Sequence, residues 1–417
     1  MRRTIQQLSQ RHVIATVLIG CASAQPAWSQ VLIEDPVTNE PKPSFVCVSE
    51  QLIYDTNLFR INRAIDPKAV LGPDASRGDA IARTSACVDL NKEWGRQQLS
   101  LTGSVDDNRY HNNRMLDHTS GNGKLLWNWQ AGTSWYGKIG ANYTHALGMF
   151  QNDRPLEKDL VDSMRYYGEI NRDVGTFVTL HAGGSRTDTS HDALSRQVDN
   201  FRSTTGDAGI TFTSRAENYV GVNYQYTRAD YPDPLIVNDL PVDRDYREHT
   251  ELLRFRYALA ERTILRGSAG YVKRDYPLAG ESDYSGAQWR AFLTWQPTLQ
   301  TQLEFSGWQQ LNAYFDSEAD HFVSKGFSLA PSWSPRERLK LGAIFSWEKQ
   351  QYQARLLDAE ISPARDDKVS AAGVNVGYQP SDWFDFGVSY RFERHDSTLA
   401  AFEFDDQITS LLLRLRF

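Results

Sequence analysis

Beyond residue 30 the chain offers chemistry two thiols, eight dispersed imidazoles and a few short carboxylate runs. Nucleophilic catalysis needs a hydroxyl or thiol beside a base, with a third group to orient that base. His111, His118, His145, His181, His191, His249, His321 and His395 are scattered along the sequence, and no Gly-x-Ser-x-Gly elbow is present. His181 near Arg186, and His395 near Glu393 and Asp396, suit polar lumen or loop positions better than a catalytic base. No Cys/His spacing matches a zinc site. Asp106-Asp107-Asn108 and Asp366-Asp367 carry calcium-type ligands, but short acidic runs ordinarily face solvent. The expectation is therefore a protein with no catalytic residues, no metal and no cofactor.

The elements that would hold these residues are strands. The last seven residues read Leu-Leu-Leu-Arg-Leu-Arg-Phe. Leu411, Leu413, Leu415 and Phe417 share one face of such a strand, and Arg414 shares the other with Arg416. A greasy face backed by a cationic one fits the closing strand of an outer-membrane β-barrel, with Phe417 as the insertion signal read by the barrel-assembly machinery. An edge strand of a soluble sandwich is the alternative at this point. The 417 residues carry a net charge of −7, with 11 Trp, 19 Tyr and 19 Phe, and a mean hydropathy of −0.53. No stretch beyond the N-terminal segment approaches the roughly 20 apolar residues of a membrane helix. Many aromatics with modest aliphatic content fit a thin apolar band edged by aromatic girdles, and the mild acidity gives no sign of nucleic-acid binding.

From Ser44 onward, alternating segments of roughly 10–16 residues follow one another without an intervening helix. Phe384, Phe386, Val388, Tyr390 and Phe392 oppose Asp385, Gly387, Ser389, Arg391 and Glu393. Leu339, Leu341, Ala343, Phe345 and Trp347 oppose Lys340, Gly342, Ser346 and Glu348. Val220, Val222, Tyr224 and Tyr226 oppose Gly221, Asn223, Gln225 and Thr227; Leu253, Phe255, Tyr257 and Leu259 oppose Arg254 and Arg256. Tight turns, among them Trp94-Gly95-Arg96, Ala260-Glu261-Arg262 and Gln379-Pro380-Ser381, take turns with longer polar loops such as 55–78, 148–158, 230–245 and 356–367. Eight tight turns pair sixteen strands, and an opening strand near 44–54 with a closing one near 405–417 makes eighteen. The predicted fold is an all-β, transmembrane antiparallel barrel of about 18 strands, with short periplasmic turns and long extracellular loops.

The N-terminus reads as an export signal. Arg2, Arg3 and Arg11 precede the apolar run Val13 to Gly20, and small-residue cleavage sites follow. The expected organisation is a signal peptide over 1–29, a periplasmic tail over 30–43 and the barrel over 44–417. Leu18-Ile19-Gly20-Cys21 also resembles a lipoprotein signal, which keeps lipidation of Cys21 open. Cleavage leaves Cys47 and Cys87, which neighbouring antiparallel strands would bring within bonding range on the lumen face in an oxidising compartment.

Eighteen strands enclose a channel wide enough for hydrated solutes. Arg254, Arg256, Arg266, Arg391 and Arg414 are expected inside beside Glu304, Asp385 and Glu393, a mixture of signs that argues against a strongly selective filter. Trp308 and Tyr167 are expected to point inwards too. There they would form either a stacking track for sugars or packing for loops folded into the lumen.

Tyr54-Asp55-Thr56-Asn57-Leu58-Phe59-Arg60 resembles the Tyr-Asp-Asp-Asn-(aliphatic)-Phe-Arg motif of the EpsL-type family, barrels of the porin-2-like kind found with exopolysaccharide biosynthesis machinery. Thr56 stands where that pattern has its second Asp. The resemblance implies an outer-membrane conduit in a Gram-negative bacterium for a secreted polysaccharide, docked on a periplasmic polysaccharide export protein. Physically, Asp55 and Asn57 suit a side-chain-capped turn at a strand end, with Leu58 and Phe59 folding back into the mouth. The alternative is a general or solute-specific diffusion porin, or a barrel whose loops bind a surface ligand.

Overall fold

The computed structural model describes residues 44–150, 156–237, 239–277, 283–313, 319–354 and 365–417. The expected signal peptide with its cleavage after Ser29, Cys21 and the tail over 30–43 lie outside the described residues, as do 151–155 and 355–364 of two long loops.

The chain opens with β1 (Phe45–Asp55), β2 (Asp79–Trp94), β3 (Gln97–Tyr110), β4 (His118–Ala131) and β5 (Trp135–Leu147). β6 (Leu160–Val174), β7 (Val178–His191), β8 (Phe201–Thr213) and β9 (Tyr219–Asp230) follow. A small hairpin, β10 (Leu235–Val237) with β11 (Leu240–Val242), interrupts the series. The wall resumes with β12 (Tyr246–Ala260), β13 (Thr263–Asp275), β14 (Tyr284–Thr298), β15 (Thr301–Ala313) and β16 (Ala319–Arg336). It ends with β17 (Leu339–Ala354), β18 (Asp366–Ser381), β19 (Phe384–Ser397) and β20 (Phe404–Arg416). Leaving the hairpin aside, each strand pairs antiparallel with its neighbours in sequence, and β1 pairs with both β2 and β20. The result is a closed 18-stranded barrel.

Closure fixes two faces. Strand side chains alternate, so a slip of one residue would exchange the sets. On the outside stand Val46, Val48 and Leu52 of β1, Val220 and Val222 of β9, and Leu413 and Leu415 of β20, all exposed. Trp94, Trp135, Trp295, Trp333 and Phe417 ring the short-turn rim on that outer face, while Tyr54, Tyr143 and Tyr271 sit in the opposite halves of their strands. An apolar belt bordered by aromatics on a closed antiparallel barrel is the outer-membrane geometry. At the β2–β3 turn Gly95 adopts φ 62°, a left-handed conformation that a residue with a Cβ would take at a cost.

The eight tight turns join β2–β3, β4–β5, β6–β7, β8–β9, β12–β13, β14–β15, β16–β17 and β18–β19, all on one rim, and the long loops lie on the other. Periodicity did not anticipate β10–β11 or the one-turn helix α1 (Pro67–Leu71) in the first long loop. α1 is set by local chemistry instead: Asp66 caps it by accepting from the Lys68 N–H at 3.0 Å, and Pro67 stands at its first position.

Candidate functional site

The lumen face follows from the register. Cys47 lies opposite Cys87, and the same row continues through Ser104, Asn122, Thr144 and Ser163. Cys47 and Cys87 are joined by a disulfide with a Cα–Cα distance of 4.9 Å, seven residues before β2 ends at the short-turn rim. Hydroxyls bond across neighbouring strands in the lumen: Ser306 with Ser328 at 2.7 Å, Ser389 with Ser410 at 2.7 Å, and Thr205 with Thr227 at 2.9 Å. Ile344 also points inward and is 47% exposed, so the lumen is open to water at its height.

The Tyr54–Arg60 segment is a knot at the long-loop rim. Tyr54 faces outward, whereas Asp55 ends β1 on the lumen side. Arg60, at φ 53°, turns back so that its guanidinium meets Asp55 at 3.1 Å and Asp406 of β20 at 3.1 Å. The Asn57 N–H donates to Asp55 at 2.9 Å, and its side-chain amide donates to the Ile61 carbonyl at 2.9 Å. Thr56 accepts from the Gln407 N–H at 2.8 Å and donates to Asp406 at 3.2 Å. An Asp at position 56 would bring a third carboxylate to that cluster; the hydroxyl brings a donor. Leu58, Phe59 and Ile61 are buried against the inward-facing Ile53, Ile81 and Tyr110, and Phe59 lies 5.0 Å from Phe150. The first long loop is therefore packed inside the mouth.

Two further knots line the same rim. Arg244 pairs with Asp199 at 2.9 Å and lies over Tyr231; below them Arg274 pairs with Glu248 at 2.6 Å. Asp367 receives Arg365 at 2.6 Å and His395 at 2.7 Å, all three side chains buried, with Arg365 stacked 3.6 Å over Phe402. The partner of His395 is thus Asp367, because strand alternation turns Asp396 to the other face, where it binds Arg394 at 2.9 Å. Asp366 meets Lys349 at 3.1 Å, which separates it from Asp367. Asp106 and Asp107 are likewise split between the two faces, and Asp107 binds Arg109 at 2.8 Å. Among the described residues no cluster of His, Cys, Asp or Glu is arranged to hold a metal.

Outside the strands, Asp159 anchors a loop: His191 bonds it at 2.7 Å and the Ala193 N–H at 3.2 Å. Burial pushes its carboxyl up, but His191, the Ala193 N–H and the Arg196 charge outweigh burial and hold it below its usual value.

Arg254, Arg256, Arg266, Glu304 and Trp308 all share the lumen rows of β12, β13 and β15. Arg266 reaches Glu304 at 3.4 Å, and Trp308 donates its indole N–H to Glu348 at 3.1 Å. Tyr167 has Arg165 over its ring at 5.6 Å. Trp308 and Tyr167 thus meet lumen side chains of the wall in these contacts. Arg391 meets Glu393 at 2.5 Å, and Asp385 binds Arg416 at 2.6 Å beside Arg414. The mixture of signs expected from the sequence is sorted in space. Arg290 of β14, missed in the sequence, joins Arg254, Arg256 and Arg266 on one wall, whereas Asp89, Glu93 and Asp106 lie on β2 and β3 across the barrel. The missed signal was the alternation of Gln288, Arg290 and Phe292 with Trp289 and Ala291.

Residues 258–417, which include β13 to β20, match the family model described as "Putative beta-barrel porin 2". No curated protein matches the sequence. Among solved structures, the chain is similar to OccK2 (OpdF) of Pseudomonas aeruginosa, at 11% identity and a TM-score of 0.48, over 90% of this chain and 98% of that one. A BenF-like porin from Pseudomonas fluorescens Pf-5 gives 11% and 0.48 over 90% and 100%. The outer membrane protein opdK of Pseudomonas aeruginosa gives 10% and 0.47 over 91% and 100%. Likeness at this level says nothing about cargo. The closed wall and its apolar belt describe a barrel of the outer-membrane type.

Proposed function

We propose that the barrel is a diffusion porin for small hydrophilic solutes, exported by a signal over residues 1–29 and seated with its short turns towards the periplasm. The observation that carries this reading is the water-accessible polar lumen, seen in the cross-strand hydroxyl pairs and the exposure of the inward-facing Ile344. An 18-stranded wall leaves room for a hydrated solute, and the loop packed in the mouth limits its size. The apolar belt supplies the lipid contact, with Phe417 as the proposed insertion signal.

Export of an exopolysaccharide with a periplasmic partner has weaker support. It rests on the Tyr54–Arg60 resemblance, and Asp55, Asn57, Phe59 and Arg60 are used in tying the first loop to β20. The family match begins at residue 258, well past that motif.

Liposome swelling separates the two readings. Vesicles carrying the folded protein should swell in isosmotic arabinose and glucose, at rates that fall as the sugar grows. Vesicles tight to both sugars, together with loss of secreted polysaccharide in a deletion strain, would restore the export reading.

A further inference from the structure

A pit in the lumen wall of β7, β8 and β9 is lined by side chains that the protein itself only half satisfies. The register puts His181 of β7 opposite Gly209 of β8, and Gly209 opposite Asn223 of β9, so only backbone separates the imidazole from the amide. The two side chains meet over that glycine, with His181 Nε2 lying 2.6 Å from Asn223 Oδ1. One row nearer the long loops, Asp207 stands opposite Gly183, its carboxylate 3.7 Å from the same Nε2. A Cβ at Gly209 would strike the His181 ring and stand 2.9 Å from Asn223 Oδ1, and one at Gly183 would stand 2.7 Å from Asp207 Oδ1. Two positions without side chains thus let three donors converge. Asn223 is 1% exposed, and its Nδ2 has no hydrogen-bond partner in the protein. Asp207 lies beyond hydrogen-bond reach of His181, and its carboxylate has no other polar contact among the described residues. The lumen faces of β7, β8 and β9 carry no Lys or Arg to neutralise it. Glu169, across Gly183, is engaged by Asn171 at 2.7 Å and Lys138 at 3.6 Å.

An imidazole nitrogen with carboxylate and amide oxygens is a donor set for a first-row divalent ion, and donors bonded at about 2.1 Å to one ion stand about 3 Å from each other. The separations of 2.6 and 3.7 Å bracket that spacing. We propose that His181, Asp207 and Asn223 form a binding site for a divalent transition-metal ion on the lumen wall, with water in its remaining positions. The amide oxygen is the third ligand that His, Cys, Asp and Glu alone do not supply here. The inference goes beyond the porin reading and needs from it only that water reaches this wall. A bound ion would neutralise Asp207 and replace the His181–Asn223 contact by a bond to each.

Cu2+ is the probe, because copper binds such donors most tightly among the first-row divalent ions. The full barrel, folded in detergent and titrated with Cu2+, should give an electron paramagnetic resonance signal with hyperfine coupling to one imidazole nitrogen. In His181→Gln and in Asp207→Asn the dissociation constant should rise at least about tenfold. Asn223→Asp supplies a second carboxylate and should bind copper more tightly, a gain that a merely structural His181–Asn223 contact does not give. His145→Gln, on the outer face, should leave binding unchanged. Equal binding by the wild type and His181→Gln would overturn the site, as would a wild type that takes up no copper. Should His181→Gln fail to fold, the wild-type spectrum and the direction of change in Asn223→Asp still decide. Conductance of the same preparation is read separately. Current without His181-dependent copper removes the site and leaves the porin reading; copper without current removes the porin reading and leaves the site.

Discussion

The two ends of the lumen use the same residue types to opposite purpose. At the long-loop mouth, Arg60, Arg244, Arg274 and Arg365 are each matched to a carboxylate and covered by aromatic or aliphatic side chains. Nearer the short turns, Arg254, Arg256 and Arg290 line the wall without an ion pair among the described residues, and Arg266 shares one carboxylate. Burial accounts for part of the contrast: Arg244, Arg274 and Arg365 are buried, whereas Arg60 and Arg266 are about equally accessible. A charge folded under loops must be paired or it destabilises the barrel, whereas a charge facing a water-filled lumen keeps its hydration. The mouth therefore holds loops, and the lower wall is left for solutes.

Breaking the mouth should have the largest effect. Arg60→Ala would leave Asp55 and Asp406 facing each other without their cation, at a cost of about 4 kcal/mol. The expected result is a lower unfolding midpoint in detergent and faster hydrogen exchange over residues 56–61. An unchanged midpoint would mean that the knot is incidental.

The assignment of faces comes next. Val222→Arg puts a charge in the apolar belt and should destabilise by about 3 kcal/mol in lipid, while Gln225→Arg, on the lumen face of the same strand, should cost far less. Equal losses would contradict the register.

The disulfide should matter less. Cys47→Ser/Cys87→Ser removes a link across 40 residues and should lower stability by about 2 kcal/mol, because the β1–β2 ladder already holds that hairpin. Non-reducing peptide mapping that recovers both thiols free would contradict the bridge itself.

The smallest expected effect is a response to acid at one loop. Asp159 is held below the usual carboxylate range, so its contribution is present above that range and is lost as pH falls through its folded value. Exchange protection at residues 191–193 should decline on acidification in the wild type, and Asp159→Asn should remove that dependence.

Strand number, closure and facing were legible in the sequence because a period of two is a local pattern repeated along the wall, and Leu413, Leu415 and Val222 each carry it. Leu58 and Phe59 beside a capped turn need cover, but the sequence left open whether the first long loop closes the mouth or stands outside. Three features were not legible. The Arg60–Asp406 pair joins residues at opposite ends of the chain, so no local pattern contains it. The separation of the arginine wall from Asp89, Glu93 and Asp106 depends on which strands face each other across the barrel, a property of closure. α1 and the β10–β11 hairpin are too short to repeat.

Ionic conductance tests the central claim most directly. Folded protein inserted into a planar bilayer in potassium chloride should give stepwise, ohmic current increments of uniform size. A correctly folded, strand-rich preparation that leaves the bilayer insulating would contradict the water-filled passage on which this account stands.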